Sequence, residues 1–160
     1  MSFEVDALLG RLLVRLHRSL LQYVSQVSVW SPSDPSSSAA AQEIERLAAR
    51  QAESVRALGA YLVEEKGRVD QGVFPVEFSD LQDLSLSFLL PQILRDQREA
   101  AAAVERALRD LDERVVSADG AEWAAALLQR VAANEREILA ALEALEAALS
   151  AGAAAGAGRR

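Results

Sequence analysis

The amino-acid sequence predicts an all-α protein in which four helices form one bundle. Three observations indicate this fold class. Apolar residues recur at spacings of three and four along most of the chain, capping and turn-forming residues divide this pattern into four stretches, and 51% of the residues are hydrophobic. A chain of 160 residues has the size of one domain, so we predict a single domain over residues 1–150 and a disordered Ala/Gly-rich tail at 151–160.

The first predicted helix runs from about Glu4 to Val29. Its stripe of core-facing positions consists of Val5, Leu9, Leu12, Leu16, Ser19, Tyr23, Gln26 and Trp30. This spacing is typical of a helix that buries one side. Two prolines and four small polar residues then occupy 31–36, where they remove amide donors and favour a turn, so a hairpin is expected.

The second predicted helix runs from Ala39 to Lys66, after serines at 36–38 that can cap its first turn. Its stripe consists of Ile44, Leu47, Gln51, Ser54, Leu58 and Tyr61. Gly67 ends this helix, because glycine is the residue favoured just after the last helical position.

Residues 67–78 connect the second and third helices and are too many for a tight turn and too apolar for a flexible linker. At ~3.3 Å per residue this segment reaches ~40 Å, which is about the length of a 27-residue helix at ~1.5 Å per residue. We therefore predict a long crossover that packs on the bundle from end to end and makes the second and third helices parallel.

The third helix is predicted to begin at Ser79, because Ser79 and Gln82 have the spacing of a capping box. Its stripe consists of Leu86, Leu90, Ile93, Gln97, Ala100, Val104, Leu108, Leu111 and Val115. Pro91 lies within this pattern, and its missing amide and ring clash predict a kink in the helix. The alternative is that Pro91 is the first residue of a new helix that follows a short helical turn.

A second capping box, formed by Asp119 and Glu122, predicts the start of the fourth helix. Its stripe consists of Trp123, Leu127, Val131, Asn134, Ile138, Ala141, Leu145 and Ala148. The Ala-Gly repeats that follow are predicted to fray.

Each predicted stripe is interrupted by polar residues near the middle of its helix. These residues are Ser19, Gln51, Ser54, Gln97 and Asn134. Folding the first hairpin places Gln51 beside residues 16–19, and folding the last hairpin places Asn134 and Glu137 beside residues 97–102. The sequence therefore predicts one polar layer across the core, with Glu137 as its carboxylate.

This arrangement resembles the ferritin-like superfamily, whose bundles hold two metal ions with a carboxylate on helices one and three and a Glu-x-x-His pair on helices two and four. The residues at these positions are, in helix order, Ser19 or Gln22, Gln51 with Ser54, Gln97, and Asn134 with Glu137. Neutral amides and hydroxyls cannot balance the charge of two divalent cations. The resemblance therefore implies a degenerate member without the di-metal centre, and we predict neither a metal nor a cofactor.

Two interpretations of the polar layer stay open. In the first, Gln51, Gln97 and Asn134 bond one another and fix the register of the helices, as buried polar residues do in coiled coils. In the second, the layer lines a small cavity for water, one metal ion or a polar ligand.

The charge and the missing motifs restrict the function. A net charge of −7 and a pI near 4.8 oppose nucleic-acid binding, which needs clustered Lys and Arg. The chain has no cysteine, and it contains no phosphate-binding glycine loop, nucleophile elbow or metal-spaced His/Cys set. The N-terminus is acidic where a secretory signal is basic, and no run of about 18 uncharged apolar residues occurs, so we expect a cytoplasmic protein without a membrane partner.

These observations predict a non-catalytic helical module that acts as a homodimer or as a scaffold for a protein partner. Whether the protein is an enzyme stays open at this point, and the sequence leans towards a protein without catalytic activity. The alternative is a metal-dependent oxidoreductase with unusual ligands, in which Glu137 is joined by Glu53 or His17. A further alternative is reversible attachment to a membrane surface through the broad leucine face of the first helix.

Overall fold

The computed structural model describes residues 3–27, 35–81, 84–115 and 121–157, and these ranges are all-helical apart from their connections. The elements are α1 (Phe3–His17), α2 (Leu20–Gln26), α3 (Pro35–Lys66), a 3₁₀ helix (Val76–Leu81), α4 (Leu86–Val115) and α5 (Ala121–Ala157). The prediction of an all-α fold is confirmed. Several predicted features lie outside the described residues: Trp30, the turn at 31–34, and the capping residues Gln82 and Asp119.

The first predicted helix is interrupted at Ser19, which has an extended backbone (φ −66°, ψ 155°) and starts α2. Its hydroxyl accepts a hydrogen bond from the backbone N–H of Gln22, as an N-cap residue does. A carboxylate of α4 supplies a second cap, because Asp96 Oδ2 accepts from the N–H of Leu20 at 2.8 Å. Arg15 holds this carboxylate, with Nη2 2.8 Å from Asp96 Oδ1. The break therefore depends on a contact between helices that are far apart in the sequence.

Two apolar clusters form the core. The first contains α1, the C-terminal halves of α3 and α4, and the start of α5. The second contains α2, the N-terminal halves of α3 and α4, and a later part of α5. Consequently α3 and α4 both run from the second cluster to the first. The helix α5 runs in the opposite direction, from the first cluster to the second, and so does the chain through α1 and then α2.

The crossover segment between α3 and α4 packs against both clusters, with Val69 on the first and Phe74 and Phe78 on the second. The ring of Tyr23 lies 5.3 Å from that of Phe74 and 5.4 Å from that of Phe78, measured between centroids. The ring of His17 stacks on Phe74 at 6.0 Å. Aromatic contacts therefore hold the crossover against α1 and α2.

Two predicted helix starts differ from the structure. The helix α3 begins at Pro35 rather than at Ala39, because proline suits the first helical position, where no amide donor is needed. The helix α4 begins at Leu86 rather than at Ser79, whose hydroxyl donates to the carbonyl of Val76 at 2.7 Å within the 3₁₀ helix. Pro91 is inside α4, so it does not begin a new helix.

The helix α5 continues through 151–157, for which the sequence predicted disorder. Alanine has the highest helix propensity, which offsets the cost of Gly152 and Gly156. An 18-residue window within Glu122–Ala157 has a mean hydropathy of 1.5 and is 11% buried, so this helix can span a membrane by length and composition only. One such helix is weak support for a membrane span, and the expectation of a cytoplasmic protein stays a prediction.

Replacement of Asp96 tests the interhelical cap. Asp96→Ala removes both the acceptor for the N–H of Leu20 and the ion-pair partner of Arg15. The pair is largely shielded from water, because the side chain of Asp96 is 21% exposed and that of Arg15 is 28% exposed. We expect urea unfolding to show a loss of about 2–3 kcal/mol, because a lost cap costs about 0.5–2 kcal/mol and a lost hydrogen bond to a charged group adds to it.

The control for this variant is Glu43→Ala, which removes the exposed ion pair between Glu43 and Arg46. Exposed ion pairs contribute little, so a much smaller loss is expected. Equal losses in the two variants would contradict the role assigned to Asp96.

Candidate functional site

A layer of buried polar side chains separates the two apolar clusters. Its buried members are Ser19, Gln22, Gln51, Ser54, Gln97 and Glu135. In α4, Gln97 lies between Leu94 of the second cluster and Ala100 of the first. In α5, Glu135 lies between Ala132 of the first cluster and Ile138 of the second. The predicted polar layer is therefore present, although its membership differs from the predicted one.

Gln51 connects the members of this layer through both ends of its side-chain amide. Its Oε1 accepts hydrogen bonds from Ser19 Oγ at 2.6 Å and from Gln22 Nε2 at 3.3 Å. Its Nε2 donates to Gln97 Oε1 at 3.0 Å and to Glu135 Oε2 at 2.9 Å. Gln97 Nε2 donates to the same carboxyl oxygen at 2.7 Å. The network therefore joins the start of α2, which contributes Ser19 and Gln22, to α3, α4 and α5.

The carboxyl group of Glu135 is fully buried, and its Oε1 has no hydrogen-bond partner. Burial raises the pKa of this carboxyl, because a charge loses its hydration in the core. The side chains of Gln51, Gln97 and Ser54 and the charge of Arg15 lower the pKa, but burial has the larger effect. The neutral, protonated form is therefore favoured over a wider pH range than for a carboxyl in water.

Asn134 lies half-buried at the edge of the layer. Its Nδ2 donates to Ser54 Oγ at 2.7 Å, and its Oδ1 accepts from Arg50 Nε at 2.6 Å. Arg50 also forms an ion pair with Glu137, whose side chain is 60% exposed. The placement of Glu137 in the core is therefore wrong, and Glu135 is the carboxylate that the layer contains. Asn134 and Glu137 line a cavity of about 330 Å³ at the α3–α5 surface, and Ser54 of the layer also contributes to its wall.

The error arose because the buried face of α5 is rotated from the predicted stripe. The buried residues are Ala124, Leu127, Leu128, Val131, Ala132, Glu135, Ile138 and Leu142. Trp123 is 52% exposed and stacks on Tyr61 at 4.6 Å between centroids. The positions 128, 135, 138 and 142 also have the spacing of one helix face. This spacing is the feature of the sequence that could have placed Glu135 in the core.

Metal ligands are sparse around this layer. Among residues 3–27, 35–81, 84–115 and 121–157, no group of three or more His, Cys, Asp or Glu side chains can hold a metal ion. Glu53 is exposed, and His17 stacks on Phe74 of the crossover, so neither belongs to the layer. One carboxyl group among amides and two hydroxyls suits a proton and mutual hydrogen bonds better than a divalent cation.

Comparisons with protein-family models, curated proteins and solved structures give no match to this chain. The resemblance to the ferritin-like superfamily stays a prediction from the sequence.

Replacement of Glu135 tests its protonation. The raised pKa means that the folded chain keeps this proton at pH values where the unfolded chain, with a pKa near 4.5, has released it. The contribution of Glu135 to stability is therefore lost as the pH rises from about 4.5 through the raised pKa. We expect Glu135→Gln to match the wild type at about pH 4 and to exceed it by at least about 1 kcal/mol at about pH 8 in urea unfolding.

Glu137→Gln is the matched control, since Glu137 is exposed on the same helix. Exposed ion pairs contribute little, so this variant should differ much less from the wild type at about pH 8 than Glu135→Gln does. A wild type that gains stability relative to Glu135→Gln as the pH rises would contradict the burial of an uncharged carboxyl group.

Proposed function

We propose that this chain is a non-catalytic helical module with ferritin-like topology that acts as a homo-oligomer or as a scaffold for a protein partner. In this proposal α1 and α2 together form the first of four helices, and α3, α4 and α5 form the others. The crossover connects the second helix to the third, and Pro91 kinks the third. The direction in which each helix leads between the two apolar clusters supports this topology.

The mutual hydrogen bonds within the polar layer carry the proposal. In a catalytic bundle the polar groups of the core are directed at a substrate or a metal. Here the side-chain amide of Gln51 is hydrogen-bonded to Ser19, Gln97 and Glu135 of the layer itself. Groups that bond one another in this way determine which residues face each other, as a buried amide does in a coiled coil. The layer is therefore best explained as a device that fixes the register of the helices.

Joint replacement of the layer tests this explanation. The variant Gln51→Leu/Gln97→Leu/Glu135→Leu keeps similar side-chain volumes and leaves no buried carboxyl without partners. We expect the helix content to stay, while amide signals in NMR spectra broaden or double, because the merged apolar core no longer specifies one register. Gln129→Leu, at an exposed position of α5, is the control and should leave the spectrum sharp.

A triple variant with a spectrum as sharp as that of the wild type would contradict the register function.

The proposed contact in the oligomer is Trp123. Its ring is half-exposed, and the stacking on Tyr61 holds it in one orientation. Tryptophan is enriched among the residues that dominate binding energy at interfaces, and a rigid side chain loses little entropy on contact. Trp123 therefore has the properties of an interface anchor.

Light scattering with size-exclusion chromatography over a concentration series tests the oligomer. A dimer gives about twice the chain mass of 17.2 kDa. We expect Trp123→Ala to weaken dimerisation at least tenfold, because a truncated interface anchor costs about 2 kcal/mol or more. Phe88→Ala removes an aromatic ring that is 58% exposed elsewhere, and it should leave the dimer unchanged.

A monomer that persists at every concentration would remove the homodimer from the proposal.

A second candidate function is a ferritin-like metal-binding oxidoreductase with non-standard ligands. One observation favours it: the free Oε1 of Glu135 lies in the middle of the core, where the ferritin-like family binds its metal ions. Metal analysis of the full chain, purified without chelators, tests this candidate. At least one equivalent of iron, manganese or zinc that is lost in Glu135→Gln would support it, and substoichiometric metal in every preparation would end it.

A further inference from the structure

A cavity of about 470 Å³ lies where α1 and α4 meet the crossover segment, outside the polar layer. This volume is typical of pockets that bind small molecules, which range over about 300–1,000 Å³. Part of its lining is apolar and comes from Val14, Pro75 and Phe78. The charged part comes from two arginines of α1 and the arginine that follows it, and from Asp96 and Glu99 of α4. The cavity therefore combines an apolar wall with a strongly charged one.

The three arginines are Arg11 and Arg15, which are four residues apart on one side of α1, and Arg18, which directly follows the helix. Arg15 is paired with Asp96, with 2.8 Å between Nη2 and Oδ1. Within the described residues, Arg11 and Arg18 have no ion pair. Three arginines thus face two carboxylates, and one of these carboxylates is already engaged. This local excess of positive charge occurs in a chain whose net charge is −7.

Arg18 is the residue that points to a ligand. Its Nε is buried and has no hydrogen-bond partner, although a buried donor without an acceptor is destabilising. The crossover fixes the stem of this side chain, because a Cβ on Gly72 would lie only 2.8 Å from Arg18 Cδ. Gly72 also has φ +67°, which favours glycine at this position. The crossover therefore holds the side chain of Arg18 at the wall of the cavity, and within the described residues its guanidinium group has no ion-pair partner.

We propose that this cavity binds a small organic anion with a carboxylate or phosphate group and an apolar body. The anionic group pairs with Arg18 and Arg11, since guanidinium groups bind both kinds of oxyanion through paired hydrogen bonds. The apolar body lies against Val14, Pro75 and Phe78. This inference is independent of the oligomeric state and of the function of the polar layer.

The test is an NMR titration of the full chain at constant ionic strength with benzoate, phenyl phosphate and the neutral analogue benzamide. We expect saturable shifts of the Val14 and Phe78 amides with at least one of the anions, and at least tenfold weaker binding of benzamide. Binding of benzoate but not phenyl phosphate assigns a carboxylate ligand, and the reverse result assigns a phosphate ligand. No saturable shift with either anion in the millimolar range would overturn the proposal, as would equal binding of benzamide.

Variants locate the site. Arg18→Gln should weaken anion binding at least tenfold, and Arg11→Gln, at an exposed position that does not affect folding, should weaken it about threefold or more. Arg95→Gln changes an exposed arginine of α4 and should leave the affinity unchanged. Affinity that survives both Arg11→Gln and Arg18→Gln, in variants shown to be folded, would place the anion elsewhere and overturn the proposal.

Discussion

Gln51 sits where the four helical stretches meet, and the pairing of its amide constrains all of them. Its oxygen accepts from Ser19 and Gln22, and its nitrogen donates to Gln97 and Glu135. A shift of one helix by a turn, about 5.4 Å, would separate these partners and leave several buried polar groups unsatisfied. Leucine and alanine contacts tolerate such shifts far better, because dispersion contacts are not directional. The polar layer therefore sets the relative heights of the helices, and the apolar clusters on either side supply most of the stabilisation.

The same layer explains the break between α1 and α2. A continuous helix would bond the amides of Leu20 and Gln22 to carbonyls of the preceding turn, and the Ser19 hydroxyl would not act as an N-cap. In the structure, Ser19 donates to Gln51, and Asp96 caps the N–H of Leu20. The Arg15–Asp96 pair connects this break to the cavity between α1 and the crossover. One stretch of chain thus serves the core network on one side and the arginine-lined cavity on the other.

The sequence predicted the helical stretches of α3 and α4 well, because Leu, Ile and Val mark their buried faces and the polar interruptions at Gln51 and Gln97 stand out. It predicted α5 less well, since alanine occurs on every face of that helix and hides which side is buried. The break at Ser19 could not be predicted, because its second cap is a residue 77 positions later in the chain, Asp96. Both failures have the same cause: the deciding contacts are between helices, whereas a periodic pattern reports only one helix at a time.

The most direct measurement of the central claim is hydrogen exchange of the glutamine side-chain amides, followed by NMR in the full chain. If the layer is closed and dry, the Nε2 protons of Gln51 and Gln97 exchange orders of magnitude more slowly than those of the exposed Gln42 and Gln129, because exchange then requires opening of the core. Exchange of Gln51 and Gln97 at the rate of the exposed glutamines would show that these amides face water, and it would contradict the account.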